Sequence, residues 1–157
     1  MTEELEHGTL YRFADWPNAN VPKVCAGVYT IWDCQRFIYV GMAGRSLSSE
    51  GLLAARNAGK LTGLYSRLAS HASGRRSGDQ FCVYLGDRFV LPSLTAEAIE
   101  AISEGRLSFD SRIREFVRER LTYRFVESES GHEAHALERE VRSGALQAGK
   151  PFLNPLG

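Results

Sequence analysis

Two short apolar runs in the first third of the chain are separated by the polar tetrapeptide DCQR, a pattern that predicts a β-hairpin. The runs cover residues 24–32 and 36–40 and are rich in the β-branched and aromatic residues that favour strands. Each run places a tyrosine close to a glycine, as GVY at 27–29 and YVG at 39–41. Because packing alone does not require this repeated pairing, the pattern indicates that the hairpin carries a function.

The rest of the chain alternates between helical and strand patterns with short connections. The predicted elements are helices at 47–57, Thr62–Ala72, 95–104, 109–120 and 131–147, and further strands at 81–85 and 122–127. Residues 1–20 are expected to form an arm or a loop. The order of elements predicts a single domain over residues 1–157 with an α/β (α+β) fold, in which helices flank a small, mainly antiparallel sheet.

The last predicted helix carries a carboxylate at the edge of its apolar stripe. At ~100° per residue, Glu138 lies beside the stripe formed by Leu137 and Val141, whereas Glu140 points well away from it. A carboxylate that faces the protein body needs a cation, a hydrogen-bond network or a metal ion. An ion pair with an arginine is the simplest interpretation, and a metal site is the alternative.

The helix predicted from Thr62 places Arg67 and His71 four residues apart, so the two side chains share one flank. A guanidinium beside an imidazole suits a phosphate group, which accepts paired hydrogen bonds from arginine. The simpler interpretation is that both are ordinary surface residues, and for His71 alone it is the favoured one.

The formal net charge is zero, but its distribution is uneven. Residues 51–78 contain five basic residues and no acid, whereas the remainder has 14 basic residues against 19 acidic ones. A local basic segment on an acidic body can attract an anionic polymer to one place. A solvated loop and helix face is the alternative explanation.

The three cysteines are odd in number and lack C-x-x-C spacing, which favours buried or idle thiols over disulfides or a zinc cluster. HEAHALE at 132–138 is not the H-E-x-x-H motif of zinc proteases, because its second histidine follows after three residues rather than four. The chain has neither a long apolar stretch nor a signal-like start, so we expect a cytoplasmic protein without a membrane partner.

Five short motifs, taken in order, resemble the signature of the GIY-YIG nuclease family. They are GVY at 27–29, YVG at 39–41, Arg67 in RLASH, Glu138 in ALEREV and Asn154 in KPFLNP. The resemblance covers about 24–44, 61–72 and 134–155, and its spacing is closest to a restriction-endonuclease-like branch. Met42 stands where many members have a lysine or a small polar residue. Residues 86–130 are an insertion relative to the minimal module.

The resemblance implies a metal-dependent endonuclease that hydrolyses DNA phosphodiester bonds and leaves a 5′-phosphate and a 3′-hydroxyl. It implies a single Mg²⁺, for which Mn²⁺ can substitute, held by Glu138. The catalytic residues that it implies are Tyr29, Tyr39, Arg67, His71, Glu138 and Asn154. The candidate substrate-binding residues are Gly41, Arg45, Lys60, Arg75 and Arg76, with Arg45 as a possible replacement for the cation absent at Met42.

Other functions remain open at this point. The chain could be a catalytically inactive nucleic-acid-binding module of the same fold, or an interaction protein with an ion-paired glutamate. As a nuclease it could act in restriction, in repair or on a mobile element, on single-stranded, double-stranded or branched DNA, as a monomer or a homodimer. Four aromatic residues could stack on bases or belong to the core, namely Phe13, Trp16, Trp32 and Tyr65.

Overall fold

The computed structural model describes residues 1–156, which form seven α-helices and a five-stranded sheet. The helices are α1 (Thr2–His7), α2 (Ser49–Asn57), α3 (Leu64–Ser73), α4 (Gln80–Leu85), α5 (Ala96–Ser103), α6 (Phe109–Arg120) and α7 (Gly131–Ser143). The strands are β1 (Tyr11–Arg12), β2 (Val24–Asp33), β3 (Arg36–Ala43), β4 (Thr62–Gly63) and β5 (Leu121–Ser128). This is the α+β architecture predicted from the sequence, with a mainly antiparallel sheet flanked by helices.

The sheet has the strand order β1-β5-β2-β3, and all of these neighbours are antiparallel. The short strand β4 pairs with β2 in parallel. All ten residues of β2 are buried, because β2 lies inside the sheet and both of its faces are covered. Strand β5 also lies inside the sheet, so the C-terminal part of segment 86–130 contributes a strand to the centre of the fold.

Alternate residues of β2 enter two separate cores on the two faces of the sheet. Tyr29 and Ile31 pack in the core that contains Leu68 of α3, together with buried residues of α4 and α6. Val28 packs in the core that contains Val141 of α7 and a leucine of α1. Helices α3 and α7 therefore approach the hairpin from opposite faces.

Local signals in the sequence explain how α7 begins and ends. The hydroxyl of Ser130 accepts a hydrogen bond from the N–H of Glu133, and the carboxylate of Glu133 accepts one from the N–H of Glu129. Helix α7 ends four residues earlier than predicted, because Gly144 adopts a left-handed conformation with φ +108° and so terminates the helix.

The prediction of a strand at 81–85 is wrong, because these residues lie in helix α4. The carboxylate of Asp79 accepts a hydrogen bond from the N–H of Cys82 and caps the helix. Phe81, Cys82 and Leu85 then face the core at helical spacing. The apolar run FCVYL is too short to separate a buried strand from a buried helix by its pattern alone.

Two other local predictions also need correction. Residues 1–20 are not only an arm or a loop, since they contain α1 and β1, and Leu5 of α1 is fully buried. Thr62 does not cap α3, because it lies in strand β4 and Gly63 occupies the N-cap position.

In the part of the chain described here, 1–156, no helix has both the length and the apolar character needed to cross a membrane.

Candidate active site

A hydrogen-bonded chain of three side chains connects β2 to the loop before α4. The hydroxyl of Tyr29 lies 2.7 Å from Nε2 of His71, and Nδ1 of His71 lies 2.7 Å from Oδ2 of Asp79. All three residues are buried. Ser70 donates a second hydrogen bond to the same carboxylate oxygen, so Asp79 is held firmly in place. His71 is therefore not a surface residue, contrary to the interpretation favoured from sequence alone.

The protonation states of this chain follow from burial and hydrogen bonding. Burial lowers the pKa of His71 below its usual value, although the neighbouring carboxylate opposes this effect. Burial alone would raise the pKa of Asp79, but the hydrogen bonds from His71, Ser70 and the N–H of Cys82 outweigh it and the pKa is lowered. Asp79 is therefore an anion beside a neutral imidazole.

The anionic carboxylate also decides the tautomer of that imidazole. Because Asp79 can only accept a hydrogen bond, Nδ1 of His71 carries the proton and donates it. Nε2 is then free to accept the hydrogen bond from the hydroxyl of Tyr29. Burial raises the pKa of Tyr29 well above its usual value, so the phenol is protonated at rest and points its proton towards His71.

The glycine of YVG has a steric explanation in its contact with the tyrosine of GVY. Tyr29 lies directly opposite Gly41 in the β2–β3 ladder, and its hydroxyl occupies the space that a Cβ at position 41 would fill. Any side chain at Gly41 would push the phenol away from His71. Tyr39 lies diagonally across the ladder, and the rings of Tyr29 and Tyr39 have centroids 6.4 Å apart. Burial raises the pKa of Tyr39 to about 12.

Glu138 lies on the inward side of α7, as the helical wheel predicts, with only 7% of the residue exposed, whereas Glu140 is exposed. Its Oε1 lies 3.3 Å from a guanidinium nitrogen of Arg142, one turn further along the helix. Burial raises the pKa of Glu138, and Arg142 opposes this effect, followed by His135 and Arg45. The carboxylate is thus ion-paired with an arginine of its own helix.

Asn154 acts on the site through backbone contacts. Its side chain accepts a hydrogen bond from the N–H of Val40 and donates one to the carbonyl oxygen of Val40, at 3.2 and 2.7 Å. Its own carbonyl oxygen accepts a hydrogen bond from Nε of Arg142. Asn154 therefore ties the edge strand β3 to the arginine that contacts Glu138, and it does not line the cleft described next.

The separate groups meet in an open cleft with a volume of ≈ 360 Å³. Side chains from both faces of the sheet reach it around the edge strand β3. The lining includes Tyr29, Tyr39, Gly41, Arg45, Arg67, His71, Asp79, His135, Glu138 and Arg142. Seven of the residues predicted from sequence therefore line one cleft, namely Tyr29, Tyr39, Gly41, Arg45, Arg67, His71 and Glu138.

Two exposed arginines, Arg45 and Arg67, line this cleft. Arg67 makes no ion pair with any acid in residues 1–156. Arg45 donates a hydrogen bond to Nε2 of His135 at 2.8 Å. His135, the second histidine of HEAHALE, therefore positions Arg45. Both guanidiniums retain donors that an incoming anion can use.

The remaining predicted substrate-binding residues lie away from the cleft. Lys60 lines a neighbouring groove. Arg75 and Arg76 line neither, and Arg76 is already paired with Asp110 at 2.6 Å and stacked on Phe109. Asp110 of α6 therefore neutralises one of the positive charges of segment 51–78, that of Arg76.

The site fits a hard divalent cation better at Glu138 than at a second, buried cluster. Glu138 faces open volume, and one of its oxygens accepts no hydrogen bond from residues 1–156, as suits an ion that takes one or two carboxylates and several waters. Ligand atoms of His71, Asp79 and Cys82 also lie within 4.8 Å of one another. However, His71 and Asp79 already use their facing atoms in a hydrogen bond to each other. Burial also raises the pKa of the Cys82 thiol and so disfavours the thiolate that would bind a metal.

Sequence reasoning missed Asp79, Arg142 and His135 as site residues. Asp79 precedes an apolar run, and recognising it as a helix N-cap would have predicted α4 and placed it near His71. Arg142 follows Glu138 at i+4, a spacing typical of helical ion pairs. Nothing in the sequence pattern links His135 to Arg45.

Comparison with known proteins found no match to this chain among family models, curated proteins or solved structures.

Proposed function

We propose that this chain is a divalent-metal-dependent endonuclease that hydrolyses DNA phosphodiester bonds. One observation carries the proposal: Tyr29 of β2, Arg67 and His71 of α3, and Glu138 of α7 come from three separate segments of the chain, yet they line a single cleft. That cleft combines a proton-accepting chain, guanidinium groups that have no acidic partner among residues 1–156, and a carboxylate in its lining. These three components suit phosphodiester hydrolysis. The chain can take the proton of the attacking water, the cations can stabilise negative charge on the phosphate, and the carboxylate can hold a metal ion.

The tyrosine–histidine–aspartate chain supplies a route for the proton of the attacking water. As the water oxygen bonds to phosphorus, its proton passes to Oη of Tyr29 while the phenol proton passes to Nε2 of His71. The bond to the 3′ oxygen breaks, and that oxygen takes a proton from solvent. This relay avoids a free phenolate, which the raised pKa of Tyr29 disfavours. Asp79 stabilises the imidazolium that forms.

The cations of the cleft would stabilise the charge that develops on the phosphate. Arg67 offers the paired donors that match two phosphate oxygens, and no acid in residues 1–156 competes for them. Arg45 also lines the cleft and is positioned there by His135, which supports its role as the cation absent at Met42. Tyr39 would orient the water or the phosphate.

Glu138 would hold the divalent cation, Mg²⁺ or in its place Mn²⁺, with water and phosphate oxygens completing the coordination. When bound, such an ion polarises the phosphate and stabilises the leaving oxygen. Arg142 contacts one carboxylate oxygen of Glu138 and, through Asn154, connects this helix to β3. These contacts would fix the orientation of the ligand.

Cleavage assays with matched carboxylate variants test the proposal. End-labelled single-stranded, double-stranded and branched DNA would be incubated with wild type, Glu138→Ala and Glu140→Ala, each in Mg²⁺, Mn²⁺ and EDTA. We expect metal-dependent cleavage by wild type and Glu140→Ala and none by Glu138→Ala, because only Glu138 faces the cleft. DNA binding by Glu138→Ala should persist.

The contact between Glu138 and Arg142 is also compatible with the alternative that the chain is a catalytically inactive nucleic-acid-binding module. That view predicts DNA binding without cleavage in any metal. Loss of cleavage in Glu140→Ala rather than Glu138→Ala would show that α7 presents a different face to the substrate.

A further inference from the structure

A basic groove continues from the cleft along the start of α3. It has a volume of ≈ 740 Å³ and is lined by residues 43–47 and by Lys60, Thr62, Gly63, Ser66, Arg67 and Ser70. Arg45 and Arg67 line both the basic groove and the cleft, so the two are continuous. A polymer that is cut in the cleft would therefore have a path into the groove.

The lining of the basic groove suits an anion. Arg45, Lys60 and Arg67 are exposed along it, and its described lining contains no acid. The ammonium group of Lys60 has no ion-pair partner among residues 1–156. Ser46 and Ser66 add hydroxyl groups, which together with lysine and arginine are common contacts to phosphate oxygens.

The same lining does not suit stacked bases. Proteins that bind single strands stack successive bases on aromatic rings, and no aromatic residue lines the described groove. The aromatic residues considered for stacking are used elsewhere: Phe13 and Trp32 are buried, and the ring of Trp16 packs on that of Tyr65 with centroids 5.1 Å apart. The groove thus offers contacts to the sugar–phosphate backbone and none of the usual platforms for bases.

We propose that the basic groove binds the backbone of duplex DNA next to the cleaved bond, through phosphate contacts that do not depend on base sequence. The proposal rests on the proposed function for the identity of the polymer. Lys60 is its central residue, because it lies in the groove and outside the cleft. Arg67 would then serve the cleaved phosphate, and Lys60 a neighbouring one.

The salt dependence of binding tests this assignment. Affinity of wild type, Lys60→Met and Lys150→Met for a labelled duplex and for one of its single strands would be measured across a salt series, in EDTA to prevent cleavage. Lys60→Met should reduce the slope of log K against log [salt] for the duplex by about 0.9, the contribution of one phosphate contact. The reduction should be equal for two duplexes of unrelated sequence.

Lys150→Met is the matched control, since Lys150 is also an exposed lysine and lies outside the groove and the cleft. A wild-type slope in Lys60→Met, a loss that depends on sequence, tighter binding of the single strand, or no measurable binding by wild type would each overturn the proposal. Failure of the nuclease proposal gives a different result: wild type would cut nothing in any metal, while the Lys60-dependent slope would persist.

Discussion

Asp79 determines which nitrogen of His71 carries a proton, and this single choice sets the direction of the hydrogen bond to Tyr29. The same residue caps α4, so one carboxylate both folds a helix and orients an imidazole. Gly41 acts at the same scale by leaving room for the phenol. At the residue scale the proposed chemistry therefore depends on residues that orient Tyr29 and His71.

Replacing Asp79 by asparagine should separate this orienting role from a purely structural one. The variant removes the anion that raises the pKa of His71, so that pKa should fall further below its usual value. The acid limb of the pH–rate profile, where His71 becomes protonated and can no longer accept a proton, should move to lower pH. The maximal rate should fall by ~10²–10⁴-fold, the usual contribution of positioned acid–base groups.

The matched control is Asp110→Asn, which affects a surface carboxylate paired with Arg76. Its pH–rate profile should coincide with that of wild type. An acid limb that stays in place in Asp79→Asn, with an unchanged maximal rate, would remove His71 from the proton route.

At the scale of elements, the outer edge of β3 is covered by the chain after α7, and β3 contributes Tyr39 and Gly41 to the cleft. The N–H groups of Phe152 and Leu153 donate hydrogen bonds to the carbonyls of Phe37 and Ile38, and the side chain of Asn154 pairs with both backbone groups of Val40. The chain after α7 thus protects an edge that would otherwise present unpaired backbone groups. It also connects β3 to α7, the two elements that bring Tyr39 and Glu138 to the cleft.

Asn154→Ala should therefore reduce stability and cleavage together. It leaves the N–H and carbonyl of Val40 without their partners, at a cost of about 1–3 kcal/mol for each such group that stays buried. Arg67→Ala is the contrasting variant, since Arg67 is exposed and should affect cleavage by orders of magnitude with little change in stability. Thermal unfolding and cleavage rates measure both effects. A fully stable Asn154→Ala protein with impaired cleavage would indicate direct contact with substrate instead.

At the scale of the whole molecule, the cleft exists only because two helices on opposite faces of the sheet meet around its edge. His71 comes from α3 on one face and Glu138 from α7 on the other. Between them lies the backbone of β3, with no side chain at Gly41. Binding of an ion at Glu138 would be linked to the stability of this whole arrangement.

A divalent cation should raise the thermal midpoint of wild type, because a ligand that binds only the folded state stabilises it by RT ln(1 + [L]/Kd). At a hundredfold excess over Kd this amounts to about 2.7 kcal/mol. We expect the shift with Mg²⁺ and Mn²⁺ in wild type and Glu140→Ala, and none in Glu138→Ala. An equal shift in all three proteins would locate the ion elsewhere.

The sequence by itself determined the elements with strong local signals and the side of α7 that faces the body. Two apolar runs rich in β-branched and aromatic residues, with DCQR between them, predicted the hairpin, and the 3.6-residue period separated Glu138 from Glu140. Tertiary structure alone decided what short or isolated signals left ambiguous. FCVYL lies in a helix that Asp79 caps, and His71 is buried because α3 packs against β2. The physical reason is that periodicity records which face is buried, whereas the partners of a buried polar group come from distant parts of the chain.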